Sequence, residues 1–218
     1  MPYKAVIAGA SGLIGSSLLE QLLVSPQYDE VVVLVRKQLL VTHKKLVQVI
    51  LDFYHLEDHQ ALITGHAVFC CLGSTRKKTP DLTQYRKIDY EYPLQLAQIA
   101  VENQVMHYHL VSALGADPKS SNFYSRMKGE IEEAIKRTGI KCLHIYEPSI
   151  LTGNRQESRP MERFAITLMT AVNPLLIGKL NKYRSIPAAT VARAMFKQSL
   201  KTEEGIFVHS SERIKLLA

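Results

Sequence analysis

The chain has few cysteines, and their arrangement does not suit disulfide bonding. There are three, Cys70, Cys71 and Cys142, so the count is odd and two of them are adjacent. All three lie in apolar stretches of the sequence. We interpret them as reduced core residues of a protein from a reducing compartment, and we therefore expect a cytoplasmic location.

The chain also lacks long apolar runs and dense blocks of charge. The uncharged stretch of residues 164–178 is too short to span a bilayer and is broken by Asn173 and Pro174. The first twelve residues show no apolar core of a signal peptide. The net charge is +7, yet no five basic residues are consecutive. We expect no membrane span and no nucleic-acid partner. The charge fits either a solvated basic surface or a preference for anionic ligands.

Apolar, strand-like segments alternate with amphipathic, helix-like segments along the sequence. The predicted strand at 30–36 contains the continuous apolar run VVVLV, which is mostly β-branched and is typical of a strand covered on both faces. Short connections between alternating strands and helices predict an α/β fold, a doubly wound parallel sheet of about seven strands with helices on both faces. We expect one domain over residues 1–218, with residues 148–200 contributing a small substrate-side lobe. The predicted strands are 3–8, 30–36, 45–52, 66–73, 107–113, 140–146 and 205–209, and later helices are predicted at 85–103, 122–138, 161–172 and 188–200.

The first predicted strand leads directly into a glycine-rich segment, GASGLIG, at residues 9–15. Ligands of doubly wound sheets bind beyond the carboxyl ends of the strands. Glycines there permit a tight turn, close approach of a pyrophosphate and close helix–strand packing, and the following helix N-terminus favours an anion. We predict that this segment binds a dinucleotide through Gly9, Ala10, Ser11, Gly12, Leu13, Ile14 and Gly15.

The end of the second strand indicates which dinucleotide is preferred. An acidic residue there would accept a hydrogen bond from the ribose 2′-hydroxyl of NAD. This chain has Arg36 and Lys37 instead. A guanidinium can pair with a 2′-phosphate, so we predict a preference for NADP over NAD. An ordinary surface arginine is the alternative interpretation.

A tyrosine and a lysine follow the fifth strand at helical spacing. Tyr124 and Lys128 share a helix face because they are four residues apart, and Ser112 ends the preceding strand. A phenol is a poor base at neutral pH, but a neighbouring ammonium and an oxidised nicotinamide both favour the phenolate. Tyr124 could then exchange a proton with a substrate oxygen to which Ser112 hydrogen-bonds.

The motifs GASGLIG, CLGS, LVSA and YSRMK, in this order, resemble the short-chain dehydrogenase/reductase family. The neighbouring sequence is similar to its atypical, Tat-interacting-protein-like branch, which is related to NAD-dependent epimerases and dehydratases. The resemblance implies a Rossmann fold with Ser112, Tyr124 and Lys128 as the catalytic set, the last two also contacting the cofactor. It further implies cofactor contacts at Asp52, Phe53, Cys71, Leu72, Gly73, Pro148 and Ile150.

Two residues depart from the family pattern. Asp89 aligns with an active-site asparagine of many members, which puts the proton-relay water of that asparagine in doubt. Ala113 follows Ser112, where relatives often have a second serine or a threonine. We place Asp89, Gly153 and Arg155 at the substrate pocket. For Arg155, a surface salt-bridge loop is an equal alternative.

The eight histidines show no metal-binding spacing. His107 and His109 alternate along a strand, and His55 and His59 could share a helix face, but no cysteine or carboxylate completes a site. We expect core or surface roles for them and no metal. The glutamates after Lys128 are expected on the solvated side of their helix: Glu130, Glu132 and Glu133.

The combined pattern predicts an NADP-dependent oxidoreductase that reduces a carbonyl or oxidises a secondary alcohol. One alternative is an NADP(H)-binding regulatory or protein-interaction module on the same scaffold. Another is an isomerase or dehydratase that uses the cofactor transiently. The sequence leaves open the substrate, a protein partner, and the choice between monomer and homodimer.

Overall fold

The computed structural model describes residues 3–153 and 183–218 of the chain. In these residues seven parallel strands form one sheet in the order β3–β2–β1–β4–β5–β6–β9. The order reverses between β1 and β4, so the carboxyl ends of these two strands flank a crevice. The strands are β1 (Tyr3–Ala8), β2 (Tyr28–Val35), β3 (Leu46–Ile50), β4 (Ala67–Cys70), β5 (His107–Val111), β6 (Cys142–Glu147) and β9 (Gly205–Ser210), and the short β7 (Leu151–Thr152) pairs separately with β8 (Ile186–Pro187).

Helices cover both faces of the sheet. Successive residues of one strand point to opposite faces, and Val6 and Ile7 of β1 accordingly lie in two different apolar clusters. The predicted doubly wound α/β fold is therefore confirmed. The helical segments are α1 (Leu13–Val24), a 3₁₀ helix (Phe53–Leu62), α2 (Leu82–Arg86), a π-helical turn (Lys87–Glu91), α3 (Tyr92–Glu102), α4 (Phe123–Lys136), α5 (Ala188–Gln198) and α6 (Ser211–Leu217).

The segment predicted as one helix at 85–103 consists of three consecutive parts, α2, the π-helical turn and α3. Pro93 lies in the first turn of α3, where its missing N–H is tolerated. The π-helical turn directly precedes it and contains Asp89, which is buried. Such turns are rare and are often found at functional sites.

Several sequence predictions differ from the structure at the edges of the fold. The strand predicted at 66–73 ends at Cys70, which leaves Cys71–Gly73 as a loop at the carboxyl end of the sheet. The 3₁₀ helix and α6 were not predicted. The helix predicted at 161–172 and most of the expected substrate-side lobe lie outside the described residues, so both stay predictions. Among the helices of 3–153 and 183–218, none has the length and apolar character to cross a bilayer.

Candidate active site

The glycine-rich segment forms a tight turn between β1 and α1. Gly9 has φ +89°, and a side chain there would place its Cβ 2.5 Å from the carbonyl oxygen of Cys71. A Cβ on Gly15 would lie 2.2 Å from the carbonyl oxygen of Gly9. The N–H of Gly12 donates to that same oxygen at 3.0 Å. Glycine is therefore required at both ends of the turn, since backbone occupies the space that a side chain would need.

The first turn of α1 is suited to an anion. Its N-cap is Gly12, which has no side chain to cap the helix, and the first turn contains no acidic residue. Ser11 and Gly12 are exposed at this end. The first N–H groups of a helix lack intrahelical partners, and the helix dipole places positive charge there. The turn thus fits the phosphates of a dinucleotide, as the sequence predicts.

Other predicted cofactor contacts lie at the carboxyl ends of neighbouring strands. Arg36 and Lys37 are exposed immediately after β2. Cys71 donates its N–H to the carbonyl oxygen of Ala8 at 2.8 Å, so the loop after β4 runs beside the glycine turn. Leu72 and Gly73 continue this loop, with Leu72 half-buried and Gly73 exposed.

Asp52 and Phe53, two of the cofactor contacts that the resemblance implies, have structural partners of their own. Asp52 is exposed and accepts a hydrogen bond from the N–H of Tyr54 at 3.1 Å, which caps the 3₁₀ helix. Phe53 is buried, with its ring centroid 5.6 Å from that of Tyr92. Asp52 therefore has a capping role whether or not it also contacts a nucleotide.

Helix α4 carries the predicted tyrosine–lysine pair. Its start is fixed by Asn122, whose side-chain oxygen accepts from the N–H groups of Tyr124 and Ser125 at 2.9 and 3.1 Å. Tyr124 is 39% exposed, whereas Lys128 is buried. The Lys128 Nζ atom lies 6.0 Å from the centroid of the Tyr124 ring. The phenol thus stands at the surface with a buried ammonium close to it.

Lys128 is held by the buried carboxylate of Asp89. The Lys128 Nζ and Asp89 Oδ1 atoms are 2.9 Å apart, and both side chains are almost inaccessible to solvent. The other carboxylate oxygen accepts from the N–H of Ser74 at 2.8 Å, which ties the loop after Gly73 to α4. Burial, the largest single effect, disfavours the ammonium, but the charge and hydrogen bond of Asp89 together with the nearby Tyr124 and Cys70 outweigh it and raise the pKa of Lys128. Lys128 therefore stays protonated, and Asp89, expected at the substrate pocket, is 1% exposed and ion-paired instead.

Ser112 and Glu132 form a second buried pair. The Ser112 N–H donates to the carbonyl oxygen of Tyr146 at 2.7 Å, and the Ser112 hydroxyl donates to Oε1 of Glu132. Burial raises the pKa of Glu132 to about 7; the hydrogen bond from Ser112 opposes this shift, and the nearby carboxylate of Glu147 adds to it. The hydroxyl of Ser112 is thus directed to Glu132.

The expectation that Glu132 is solvated is wrong. Glu132 is 5% exposed, whereas the adjacent Glu133 forms an ion pair with Lys136 at 2.9 Å. Tyr124, Lys128 and Glu132 occur at i, i+4 and i+8, so they share one face of α4. That spacing was a sequence signal for Glu132 as a third residue of the site.

Sequence reasoning also missed Tyr85. It is 2% exposed, and its hydroxyl donates to the carbonyl oxygen of Ser74 at 3.3 Å. Burial raises the pKa of Tyr85 to about 12, and the nearby Asp89 and Tyr124 add to this shift. Tyr85 therefore supports the same loop as Asp89, and its position in a polar helix gave no indication of this.

The loop after β6 closes the other side of the crevice. The carbonyl oxygen of Pro148 accepts from the N–H of Leu114 at 3.0 Å, while Ile150 is 54% exposed. A Cβ on Gly153 would lie 3.3 Å from Cδ2 of Leu13, so this loop contacts the glycine turn. The structure brings these predicted residues to one edge. Arg155 lies outside the described residues.

Two solved structures of similar fold are complexes with nucleotide ligands, and one of them also contains NAD. MoeE5 in complex with UDP-glucuronic acid and NAD superposes with a TM-score of 0.74 at 18% identity, covering 94% of this chain and 75% of that one. UDP-N-acetylglucosamine 4-epimerase from Methanobrevibacter ruminantium gives a TM-score of 0.70 at 14% identity, covering 96% and 76%. At these identities the similarity establishes the fold.

Curated relatives match the chain at higher identity. Protein HTATIP2 of Rattus norvegicus is 32% identical over 94% of this chain and 85% of its own length. The mitochondrial protein fmp52 of Aspergillus clavatus is 29% identical over 98% and 94%. Further Aspergillus relatives and one from Coccidioides immitis are also named mitochondrial. The expected cytoplasmic location is contradicted by these relatives.

The family assignment rests on nearly the whole chain. A family model described as NAD(P)H-binding matches residues 9–200, which include the glycine turn, the loop after β4 and the face of α4 described above. Together with the 32% identity to HTATIP2, this match shows that the chain belongs to the NAD(P)H-binding family and is a homologue of HTATIP2.

Proposed function

We propose that the protein is an NADP-dependent oxidoreductase of the short-chain dehydrogenase/reductase type, acting on a carbonyl or a secondary alcohol. The observation that carries this proposal is the face of α4, where the exposed Tyr124 lies beside the buried Lys128. A buried ammonium beside the phenol would stabilise a phenolate, and the buried carboxylate of Asp89 maintains the charge of that ammonium. Removing both charges from water costs free energy, so a buried ion pair calls for an explanation.

The side chains supply proton transfer in this proposal. The nicotinamide, when bound, donates or accepts the hydride. Tyr124 gives its phenolic proton to the carbonyl oxygen during reduction. The ammonium of Lys128 then stabilises the phenolate that remains, and Asp89 keeps that ammonium charged. In the oxidation direction Tyr124 takes the proton back.

Ser112 has a single hydroxyl proton, and Glu132 accepts it in the structure. While Glu132 is ionised, Ser112 therefore cannot donate to a substrate oxygen. A protonated Glu132 can instead donate to the oxygen of Ser112, which frees the serine proton for the substrate. We propose that Glu132 positions Ser112 in this way.

The proposed preference for NADP is supported by the exposed Arg36 and Lys37 at the end of β2. Fluorescence titration with NADPH and NADH tests it. We expect Arg36→Gln to weaken NADPH binding by about 10-fold or more, since hydrogen bonds to charged groups contribute about 1.5–3 kcal/mol. NADH binding should change little. Arg137→Gln, at the end of α4, is the matched control. Tighter binding of NADH than NADPH by the unmodified protein would exclude the preference.

Turnover is tested by following NADPH consumption over a panel of aldehydes and ketones. We expect measurable turnover for the unmodified protein and a loss of about 100-fold or more for Tyr124→Phe, because general acid catalysis contributes about 10²–10⁴-fold. Tyr3→Phe makes the same chemical change at the amino end of β1, away from the site, and should keep full activity. Equal rates for all three proteins would remove Tyr124 from the mechanism.

A cofactor-binding regulatory module is the second candidate. The hydrogen bond from the Ser112 hydroxyl to Glu132, with Ala113 as the next residue, favours it because the Ser112 proton is not directed to a substrate. This candidate predicts tight NADPH binding without consumption on any carbonyl of the panel. The two candidates therefore separate in the turnover experiment.

A further inference from the structure

Three buried histidines converge on one face of the sheet. His107 and His109 alternate along β5, and His144 of β6 is the register partner of His109. Each is 2% exposed or less. One ring nitrogen of each lies within 4.8 Å of the others. The sequence showed only the alternation in β5, because the contribution of His144 depends on the register between the two strands.

Two nitrogens of this cluster lack partners. Nδ1 of His107 and Nε2 of His109 are buried and accept or donate no hydrogen bond. Buried polar atoms are normally satisfied, so such a pair needs an explanation. A neutral imidazole nitrogen that has no hydrogen-bond partner is free to act as a metal ligand.

A thiol lies beside His144, at the margin of the histidine cluster. Cys142 of β6 is the register partner of His107, and its Sγ is 3.2 Å from Nε2 of His144. A bound metal ion would displace the thiol proton. Three imidazoles and one thiolate make up a donor set typical of tetrahedral zinc.

In His144 and in His109, the ring nitrogen Nδ1 contacts a neighbouring side chain. Nδ1 of His144 is 3.0 Å from Nε2 of His209, and Nδ1 of His109 is 3.1 Å from the hydroxyl of Tyr146. Histidines that bind metals usually hydrogen-bond through their second nitrogen, which orients the ring. For His109 the remaining nitrogen is the unpartnered Nε2. Both contacts are made by the rings in their stacked orientation, so they would have to re-form when an ion binds between the rings.

We propose that His107, His109 and His144, with Cys142 as fourth ligand, bind a divalent transition-metal ion of the zinc type. The rings of His109 and His144 lie within 7° of parallel, so coordination requires a rotation about the Cβ–Cγ bond. All four side chains are buried, which leaves no open position for substrate. The ion would therefore stabilise the packing of β5 on β6 rather than take part in the chemistry at Tyr124, and the proposal is independent of the proposed function.

Co²⁺ and Zn²⁺ are the probes for this site, on the full chain without a histidine tag and after removal of metals by a chelator. We expect one Co²⁺ per chain, with the absorption of tetrahedral cobalt and a sulfur-to-cobalt charge-transfer band. Equimolar Zn²⁺ should displace the cobalt and raise Tm by several degrees, since a ligand of the folded state stabilises it. Absence of stoichiometric binding by the unmodified protein would overturn the proposal.

Comparing a variant of one proposed ligand with a variant of an exposed histidine tests where the ion binds. His109→Phe retains an aromatic ring in the stack and should weaken Co²⁺ binding at least 100-fold. His55→Phe, at an exposed histidine, should bind as the unmodified protein does. Binding by His109→Phe at the unmodified affinity would contradict the site. Should His109→Phe not fold, Cys142→Ala decides: loss of the charge-transfer band supports the proposal, and its persistence overturns it.

Discussion

Asp89 and Lys128 contribute two opposite charges from different helical segments to one buried contact of 2.9 Å. The pair joins the π-helical turn to α4, and the contact of Asp89 with Ser74 extends it to the loop after β4. Neither residue has solvent to compensate its charge if the other is removed. At the residue scale, the position of the candidate acid Tyr124 therefore depends on the buried ion pair between Lys128 and Asp89, in which each charge compensates the other.

This balance predicts non-additive stability effects. Asp89→Leu and Lys128→Met should each lower the free energy of unfolding by about 3–5 kcal/mol, because each leaves an uncompensated buried charge. The double variant should recover most of this loss, since an apolar pair of similar volume replaces the ion pair. Urea denaturation of the four proteins measures the coupling. Additive losses would show that the two charges do not compensate each other.

The buried Glu132 predicts a pH dependence of stability. Its pKa is about 7 in the folded protein against an ordinary value of 4.5, so the folded state retains a proton that the unfolded chain releases. The resulting stability is fully present below about pH 4.5 and is lost as pH rises through about 7. Its ceiling is about 3 kcal/mol, because one pKa unit corresponds to about 1.4 kcal/mol.

Glu132→Gln does not titrate, and its amide can hydrogen-bond Ser112. We expect the stability of the unmodified protein, relative to this variant, to fall between pH 5 and pH 8 in urea denaturation. Glu147, whose pKa burial also raises, is present in both proteins and should cancel in the comparison. Parallel pH curves for the two proteins would be inconsistent with a buried, titrating Glu132.

At the scale of single elements, the turn between β1 and α1 depends on backbone contacts. Gly9 and Gly139 both have a positive φ, +89° and +84°. A Cβ on Gly9 would lie 2.5 Å from the carbonyl oxygen of Cys71, whereas a Cβ on Gly139 would have nothing within 4 Å. The two glycines share the conformational requirement and differ in the space available.

This contrast provides a matched pair of variants. Gly139→Ala should cost about 1–2 kcal/mol, the strain of a left-handed backbone conformation at a non-glycine residue. Gly9→Ala should cost more and should also abolish NADPH binding, because the loop after β4 must move. Urea denaturation and fluorescence titration measure the two effects. Equal stability losses with NADPH binding retained in both variants would refute the close packing at Gly9.

Local sequence patterns predicted those elements whose structure depends on neighbours in sequence. The strands and the glycine turn are of this kind, since residues 3–15 contain both the apolar strand and its turn. The partners of Asp89 and Ser112 could not be predicted in this way, because Lys128 and Glu132 approach them only after the helices pack on the sheet. The π-helical turn was likewise missed, since one extra residue in a helix leaves little trace in the spacing of apolar residues.

At the scale of the whole molecule, the parallel sheet brings distant segments to one edge. The loops after β1, β4 and β6 meet there, as shown by the contacts of Gly9 with Cys71 and of Gly153 with Leu13. Ligands of such sheets bind at this edge, where the strand order reverses. The net charge of +7 is compatible with an anionic dinucleotide. The fold and the NAD(P)H-binding family membership are therefore consistent with the proposed cofactor site at this edge.

The most direct test of the proposed chemistry is transfer of deuterium from NADPH that carries deuterium at both hydrogen positions of nicotinamide C4 to the carbinol carbon of the product. The substrate is the best carbonyl compound of the panel, and mass spectrometry detects the label. We predict labelled alcohol from the unmodified protein, and a rate at least about 100-fold lower for Tyr124→Phe at equal cofactor binding. Absence of label from every product, or equal rates for the two proteins, would contradict an oxidoreductase that uses Tyr124 as its acid.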